Sequence, residues 1–224
     1  MGLFLNLKTP TTQCINGCKL FNDMDNFSYW ENKKVTNDEI HVVKYLNENS
    51  LTFNNDIMHI GVGNSFLAKN IFNFKKIDGI TVSKNEIDYG LNLNISEYNI
   101  FFQNKYSSKN LLNVILKSYD IIIDVNLKSY ACCDKAFYDL FSRYVSMLKP
   151  GGMIITGREG MKWSRFLRPV LSFSIKKFFY KRLKEFDGPN NNFINQDYCS
   201  NLSDIYNLSI KTNNDKLIIF NKIK

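Results

Sequence analysis

His59-Ile60-Gly61-Val62-Gly63-Asn64-Ser65 is the stretch that decides how this chain reads. It closes an apolar run, Ile57–Val62, and opens a helical segment, Ser65–Phe74. Two glycines at this spacing let the backbone turn sharply and approach a ligand closely. A helix starting just beyond them offers unpaired backbone N–H groups and a positive dipole end to a carboxylate or phosphate. A G-x-G alone is a weak signal. Its position straight after a strand and at a helix start strengthens it.

The same rhythm continues outward from this turn. Apolar runs at Ile57–Val62, Ile77–Val82, Ile100–Phe102, Tyr119–Val125 and Met153–Thr156 alternate with helical segments at Ser65–Phe74, Ser83–Asn92, Ser108–Lys117 and Asp134–Leu148. Strands separated by crossover helices predict a parallel sheet covered on both faces. A helix at Gln196–Tyr206 then precedes two strands, Leu208–Thr212 and Leu217–Asn221. Asn213-Asn214-Asp215 between them suits a tight turn and hence an antiparallel hairpin. The fold class is therefore α/β: a seven-stranded, mostly parallel, Rossmann-like sheet with a C-terminal antiparallel hairpin. Upstream, residues 1–27 have no clear period and read as an arm or lid. A helix follows at Asn37–Leu46, with Asn37 as N-cap and Ile40, Val43 and Leu46 on one face.

Other polar residues fall at the carboxyl ends of these strands, where open α/β sheets bind ligands. Thr81 stands where a carboxylate commonly meets ribose hydroxyls, and Ser83 caps the next helix. The fourth strand exits through Asp124. Leu148-Lys149-Pro150-Gly151-Gly152 reads as a helix stop and turn into the fifth strand, because Pro cannot continue the helix and Gly permits a left-handed residue.

Taken in order, 59–65, Gly-Ile-Thr-Val-Ser at 79–83, Tyr-Asp-Ile-Ile-Ile-Asp at 119–124, Leu-Lys-Pro-Gly-Gly at 148–152 and the closing hairpin resemble the class I S-adenosylmethionine-dependent methyltransferases over about residues 29–222. Gly79–Glu86 looks most like the small-molecule and cyclopropane-synthase-like branch. The resemblance implies that S-adenosylmethionine is the cofactor. Gly61, Gly63, Asn64 and Ser65 would line its methionine portion, with His59 at the root of the loop. Thr81 and Val82 would meet the ribose and adenine, Asn104 the adenine edge, and Asp124 the methionine moiety or the acceptor. Tyr29 and Trp30 resemble an aromatic element folded over the cofactor, where a sulfonium cation would also favour aromatic faces. Residues 1–50 would then form an arm and helix over the cofactor site, and 51–224 the methyltransferase domain.

The sequence also departs from the family pattern. His59 replaces an acidic residue, Ser65 a third glycine, and Asn104 a common Asp. These departures keep two alternatives open: other chemistry on the same cofactor, such as aminopropyl transfer or cofactor cleavage, and a non-catalytic cofactor-binding partner subunit. For methyl transfer to an amine or hydroxyl, the candidate bases are His41, Asp124 and Tyr130. The acceptor is expected to be a small or lipid-like molecule.

A basic, aromatic insert at residues 161–186 follows the fifth strand. A core-covering helix with a solvated basic face is the plainest reading. A lid, a peripheral membrane contact and a homodimer face stay open. Nucleic acid is not expected as a substrate, since Asp124-Val125-Asn126-Leu127 lacks the signature of flipped-base methylation.

Composition narrows the class further. The chain has 224 residues, 44% of them hydrophobic, enough for one sizeable core. Its formal charge of +8, spread over lysines throughout, suits a solvated surface as the plainer reading, with a dedicated anionic partner left open. Five cysteines, two of them adjacent at 132 and 133, do not make a secreted disulfide framework. Cys14 and Cys18 lack a second pair or a nearby His in sequence, so no metal is expected. The N-terminus shows no signal peptide or myristoylation pattern, and no apolar stretch approaches the roughly 20 residues that span a bilayer. The expected location is cytoplasmic.

Overall fold

The computed structural model describes residues 13–18, 20, 30, 35–107, 118–128, 131–157, 196–214 and 216–223. The expected helix at Ser108–Lys117, the insert at 161–186, and Tyr29 and Tyr130 lie outside the described residues. In chain order the elements are α1 (Asn37–Glu48), β1 (Asp56–Ile60), α2 (Phe66–Asn70), β2 (Lys76–Thr81), α3 (Lys84–Asn92), β3 (Tyr98–Phe102), β4 (Tyr119–Ile123), α4 (Asp134–Met147), β5 (Leu148–Gly157), α5 (Gln196–Tyr206), β6 (Leu208–Asn213) and β7 (Leu217–Lys222).

All seven strands join one sheet in the order β3-β2-β1-β4-β5-β7-β6. β1 to β5 pair in parallel, and β7 runs antiparallel between β5 and β6. This is the α/β sheet with a terminal hairpin that the alternating pattern implied. The strand order reverses between β1 and β4. The crevice beyond their carboxyl ends is the natural ligand site of such a sheet.

Strand periodicity sends alternate side chains to opposite layers. Ile57, Ile77, Ile121, Ile123, Ile155 and Ile219 bury one face together with Val42, Tyr45 and Leu46 of α1 and Leu67 of α2. Met58, Ile60, Ile80, Ile122, Ile154 and Phe220 bury the other face against α4, which contributes Phe137, Leu140, Phe141 and Tyr144. Those α4 positions recur at three- and four-residue intervals, the stripe an amphipathic helix needs. Truncating one of the fully buried aromatics to Ala would cost about 3–5 kcal/mol.

Three local readings are corrected. The N-cap of α1 is Thr36, not Asn37: its hydroxyl accepts from Glu39 N–H while the Glu39 carboxylate returns to the Thr36 N–H, a closed capping box. Because Glu39 turns inward to make that box, α1 buries Glu39, Val42, Tyr45 and Leu46, and Ile40 is exposed. The helix stop at Leu148 and the left-handed Gly151, φ +78°, stand as read, and both fall within β5, where the register shifts between Tyr119 and Ile121. Finally, the fold supplies the second cysteine pair that sequence spacing lacks. Cys14, Cys18, Cys132 and Cys133 converge.

Candidate functional site

The glycine turn lies where β1 leaves the sheet. Gly61 has φ +77° and Gly63 φ +52°, backbone conformations that side chains adopt only with strain. Ser65, in the place of a third glycine, is also left-handed at φ +56°. It caps α2 without a side-chain bond to that helix, and its buried hydroxyl meets the Tyr98 hydroxyl at 3.1 Å. Asn64 is buried beside it. A Cβ built at Gly63 would lie 3.0 Å from the Trp30 ring, so the indole rests on the turn itself. Glycine is needed there for both its backbone angle and its missing side chain.

One residue that the sequence reading assigned no role ties these pieces together. Glu86, in the first turn of α3, accepts the Gly63 N–H at 3.2 Å and the Thr81 hydroxyl on its Oε2. The Trp30 indole N–H also donates to its carboxylate. Ser83 sets the helix start: its hydroxyl accepts from Glu86 N–H, and its own N–H donates to Thr81 Oγ1. The strand-end carboxylate that Thr81 lacks is thus delivered from five residues later, one helical turn into α3. The visible signal was Ser83-Lys84-Asn85-Glu86, a cap followed three residues on by an acid. Burial pushes the Glu86 carboxyl above the usual carboxylate range, its hydrogen bonds pull it back, and the negative Glu39 nearby raises it further. Burial raises Glu39 too. No Lys or Arg among the described residues stands within 4.0 Å of Glu86. Glu86 therefore has no cation paired with it among the described residues, whereas Lys69 partly offsets Glu39.

The other expected residues divide clearly. Val82 is half-buried beside Thr81 at the exit of β2. Asn104, past β3, uses its Oδ1 to accept the Tyr106 N–H at 2.9 Å and so closes a local turn. His59 is fully buried within β1, and neither ring nitrogen has a hydrogen-bond partner. Burial alone lowers its pKa to about 4, so the imidazole is neutral at ordinary pH.

Asp124 is buried and fully engaged. Lys105 Nζ reaches its two oxygens at 3.1 and 2.8 Å, Tyr144 donates to Oδ2 at 3.0 Å, and the Asn126 N–H donates to Oδ1 at 3.2 Å. Lys105 also donates to the carbonyls of Asn126 and Leu127, so the pair locks the exit of β4. His41 lies half-buried on α1, its Nδ1–H donating to the Asn37 carbonyl at 2.5 Å. It follows Asp38 by one helical turn. A Cβ at Gly157 would approach Asp38 Cγ to 3.0 Å, which places the start of α1 over the exit of β5. The structure thus brings Trp30, Gly63, Thr81 and Glu86 into one cluster and sets α1 along the same edge. No helix among the described residues is long and apolar enough to cross a membrane.

No protein-family profile matches the sequence, and no curated protein sequence matches it. Solved structures do share its architecture. The N-methyltransferase NodS from Bradyrhizobium japonicum WM9, in complex with S-adenosyl-L-homocysteine, superposes with a TM-score of 0.55 at 13% identity, covering 88% of this chain and 98% of that one. The magnesium protoporphyrin IX methyltransferase from Synechocystis PCC 6803, with bound S-adenosyl-L-homocysteine, gives a TM-score of 0.52 at 12% identity over 82% of this chain and 81% of its own. An O-methyltransferase family protein from Burkholderia thailandensis gives 0.53 at 10% identity over 83% and 56%. At such identities the likeness lies in the fold.

Proposed function

We propose that this chain binds S-adenosylmethionine at the carboxyl edge between β1 and β2 and transfers its methyl group to a small-molecule or lipid-like acceptor. The observation that carries this reading is the buried Glu86 carboxylate held between the Gly63 N–H and the Thr81 hydroxyl. A carboxylate at the end of β2, beside a glycine turn, is what recognition of a ribose diol requires. Glu39, close enough to raise the Glu86 carboxyl, leaves this edge favouring a ligand that brings positive charge. Trp30 offers the aromatic face that a sulfonium prefers. The Thr81-to-Glu86 spacing supports assignment to the small-molecule, cyclopropane-synthase-like branch.

When bound, the cofactor supplies a methyl group on a cationic sulfur, open to in-line displacement. The protein's own work is positioning and exclusion of water. Gly61 and Gly63 let the backbone come close, and Glu86 with Thr81 would hold the sugar of the bound cofactor. Trp30 covers the loop. General-base work, where the acceptor needs it, falls to the free Nε2 of His41 rather than to Asp124, whose oxygens are taken up by Lys105 and Tyr144. That engagement of Asp124 also supports a second reading, a cofactor-binding subunit without turnover of its own.

Calorimetric titration with S-adenosylmethionine and S-adenosylhomocysteine tests the proposal. Binding of both to the wild-type chain, abolished in Gly63→Arg, is the expected result. Folded wild-type protein that takes up neither ligand overturns it. Retained binding without methyl transfer over a broad acceptor panel selects the second reading.

A further inference from the structure

The four converging cysteines form a cluster on the α4 side of the sheet, remote in sequence from the glycine turn. Their Sγ atoms all lie within 4.8 Å of one another. Cys14 is buried, Cys18, Cys132 and Cys133 are half-buried, and all four are free thiols. Both halves are pre-shaped. Cys14 to Cys18 closes on itself: Cys14 N–H donates to the Cys18 carbonyl, Gly17 N–H donates to the Cys14 carbonyl, each at 2.9 Å, and Gly17 takes φ +75°. The Asn16 N–H points at the Cys14 sulfur at 3.3 Å, the kind of contact that stabilises a thiolate. On the other side, Cys133 is the N-cap residue of α4, a 14-residue helix, and its side chain makes no capping bond. Its sulfur is therefore not spent on capping the helix and turns to the other three thiols.

We infer that Cys14, Cys18, Cys132 and Cys133 bind one zinc ion through four thiolates. Tetrahedral zinc with bonds of about 2.3 Å spaces its sulfurs about 3.8 Å apart, so no pair here needs to close by more than about 1 Å. A cluster of several irons and sulfides would hold the thiolates farther apart than they stand. Binding deprotonates each thiol; the four protons pass to solvent, no electrons move, and the closed coordination shell leaves no open position for catalysis. The ion would staple residues 13–18 to the loop between β4 and α4. It would anchor the arm that leads on to Trp30. This assignment stands on the cysteine geometry and does not depend on the cofactor proposal.

Elemental analysis of the full chain, purified under reducing conditions and without added chelator, tests it. About one equivalent of zinc per chain is expected. Exchange with cobalt should give thiolate-to-metal charge-transfer bands and the intense visible bands of a tetrahedral site. Cys18→Ser and Cys132→Ser should each lower retained zinc at least tenfold, and Cys199→Ser, in α5 and outside the group of four, should not. Should either variant fail to fold, the cobalt spectrum of the wild-type chain still decides. Reduced, folded wild-type protein that neither holds zinc nor takes up cobalt overturns the assignment. So does recovery of the four cysteines as two disulfides from protein kept reduced throughout purification.

Discussion

The two edges of the sheet handle charge in opposite ways. At the amino edge Asp56, Asp78 and Asp120 are each matched by a lysine. Lys149 bridges Asp56 and Asp120 at 2.9 and 2.6 Å, Lys75 adds a second contact to Asp56, and buried Asp78 holds Lys76 at 2.9 Å while accepting from the Tyr119 hydroxyl. At the carboxyl edge, Asp124 is matched by Lys105, but Glu86 answers to an N–H, a hydroxyl and an indole, and His59 answers to nothing polar. Groups that neutralise one another hold a structure together. Groups left with charge or hydrogen-bonding capacity in a crevice are available to a ligand. The difference supports placing the proposed cofactor site at the carboxyl edge.

The largest effect expected from this contrast is at the amino edge. Asp78→Ala leaves Lys76 and the buried Tyr119 hydroxyl without their acceptor, and should cost about 3–5 kcal/mol of stability in urea denaturation. Cofactor affinity per folded molecule should not change. A loss of affinity larger than the loss of folded fraction would break the division between the edges.

His59 gives the next effect, read as pH dependence. Its pKa falls from an ordinary 6.5 to about 4 on folding, because burial penalises the imidazolium. Between those values the unfolded chain binds a proton that the folded chain refuses. Its contribution is therefore fully present above about pH 6.5 and is lost as pH falls toward 4, up to about 3 kcal/mol. Glu39 and Glu86, with raised pKa, pull the other way: their stabilisation grows as pH falls. The clean measurement is the difference between wild type and His59→Leu across the acid range. The variant should lose less stability on acidification. Parallel pH curves for the two proteins would mean that His59 is not desolvated as the structure has it.

Much of this contrast could be read in the sequence, and the part that could not has physical causes. The strand-helix alternation and the glycine turn follow from periods of two and 3.6 and from backbone sterics, which are local. The hairpin follows from Asn213-Asn214-Asp215. The role of Glu86 is not legible in Gly79–Glu86, because its reach back to Gly63 depends on how α3 docks against the loop. The Thr36 to Glu39 box was missed because Asn37, one residue on, is an equally good cap by type. Lys105 and Asp124 are 19 residues apart, and the two cysteine pairs more than a hundred. Such pairings are decided by topology, which no spacing rule carries.

Glu86→Gln sharpens the comparison from the working edge. The amide keeps the shape but loses the negative charge that the cationic cofactor would meet. A charged hydrogen bond is worth about 1.5–3 kcal/mol, so affinity for S-adenosylmethionine should fall about 10- to 100-fold. Stability should hold or rise, since a buried carboxylate is removed. In the wild type, affinity should also decline on acidification, beginning above the ordinary glutamate range because burial raises this carboxyl. In the variant that decline should vanish. Titrations at several pH values decide it: equal affinity and equal pH dependence in both proteins would remove Glu86 from the site.

The smallest effect belongs to the cap that sets α1 over this edge. Thr36→Ala deletes one half of the box with Glu39, and loss of an N-cap of this type costs about 1 kcal/mol. Faster amide exchange should be confined to the first turn of α1, around Asp38 and Glu39. Asp38 packs at Gly157, on β5, so cofactor affinity should shift with it only if that turn lines the site. An affinity change without faster exchange would mean that Thr36 itself touches the ligand. Faster exchange with affinity intact would mean that α1 serves the acceptor side of the crevice, where His41 stands one turn further along.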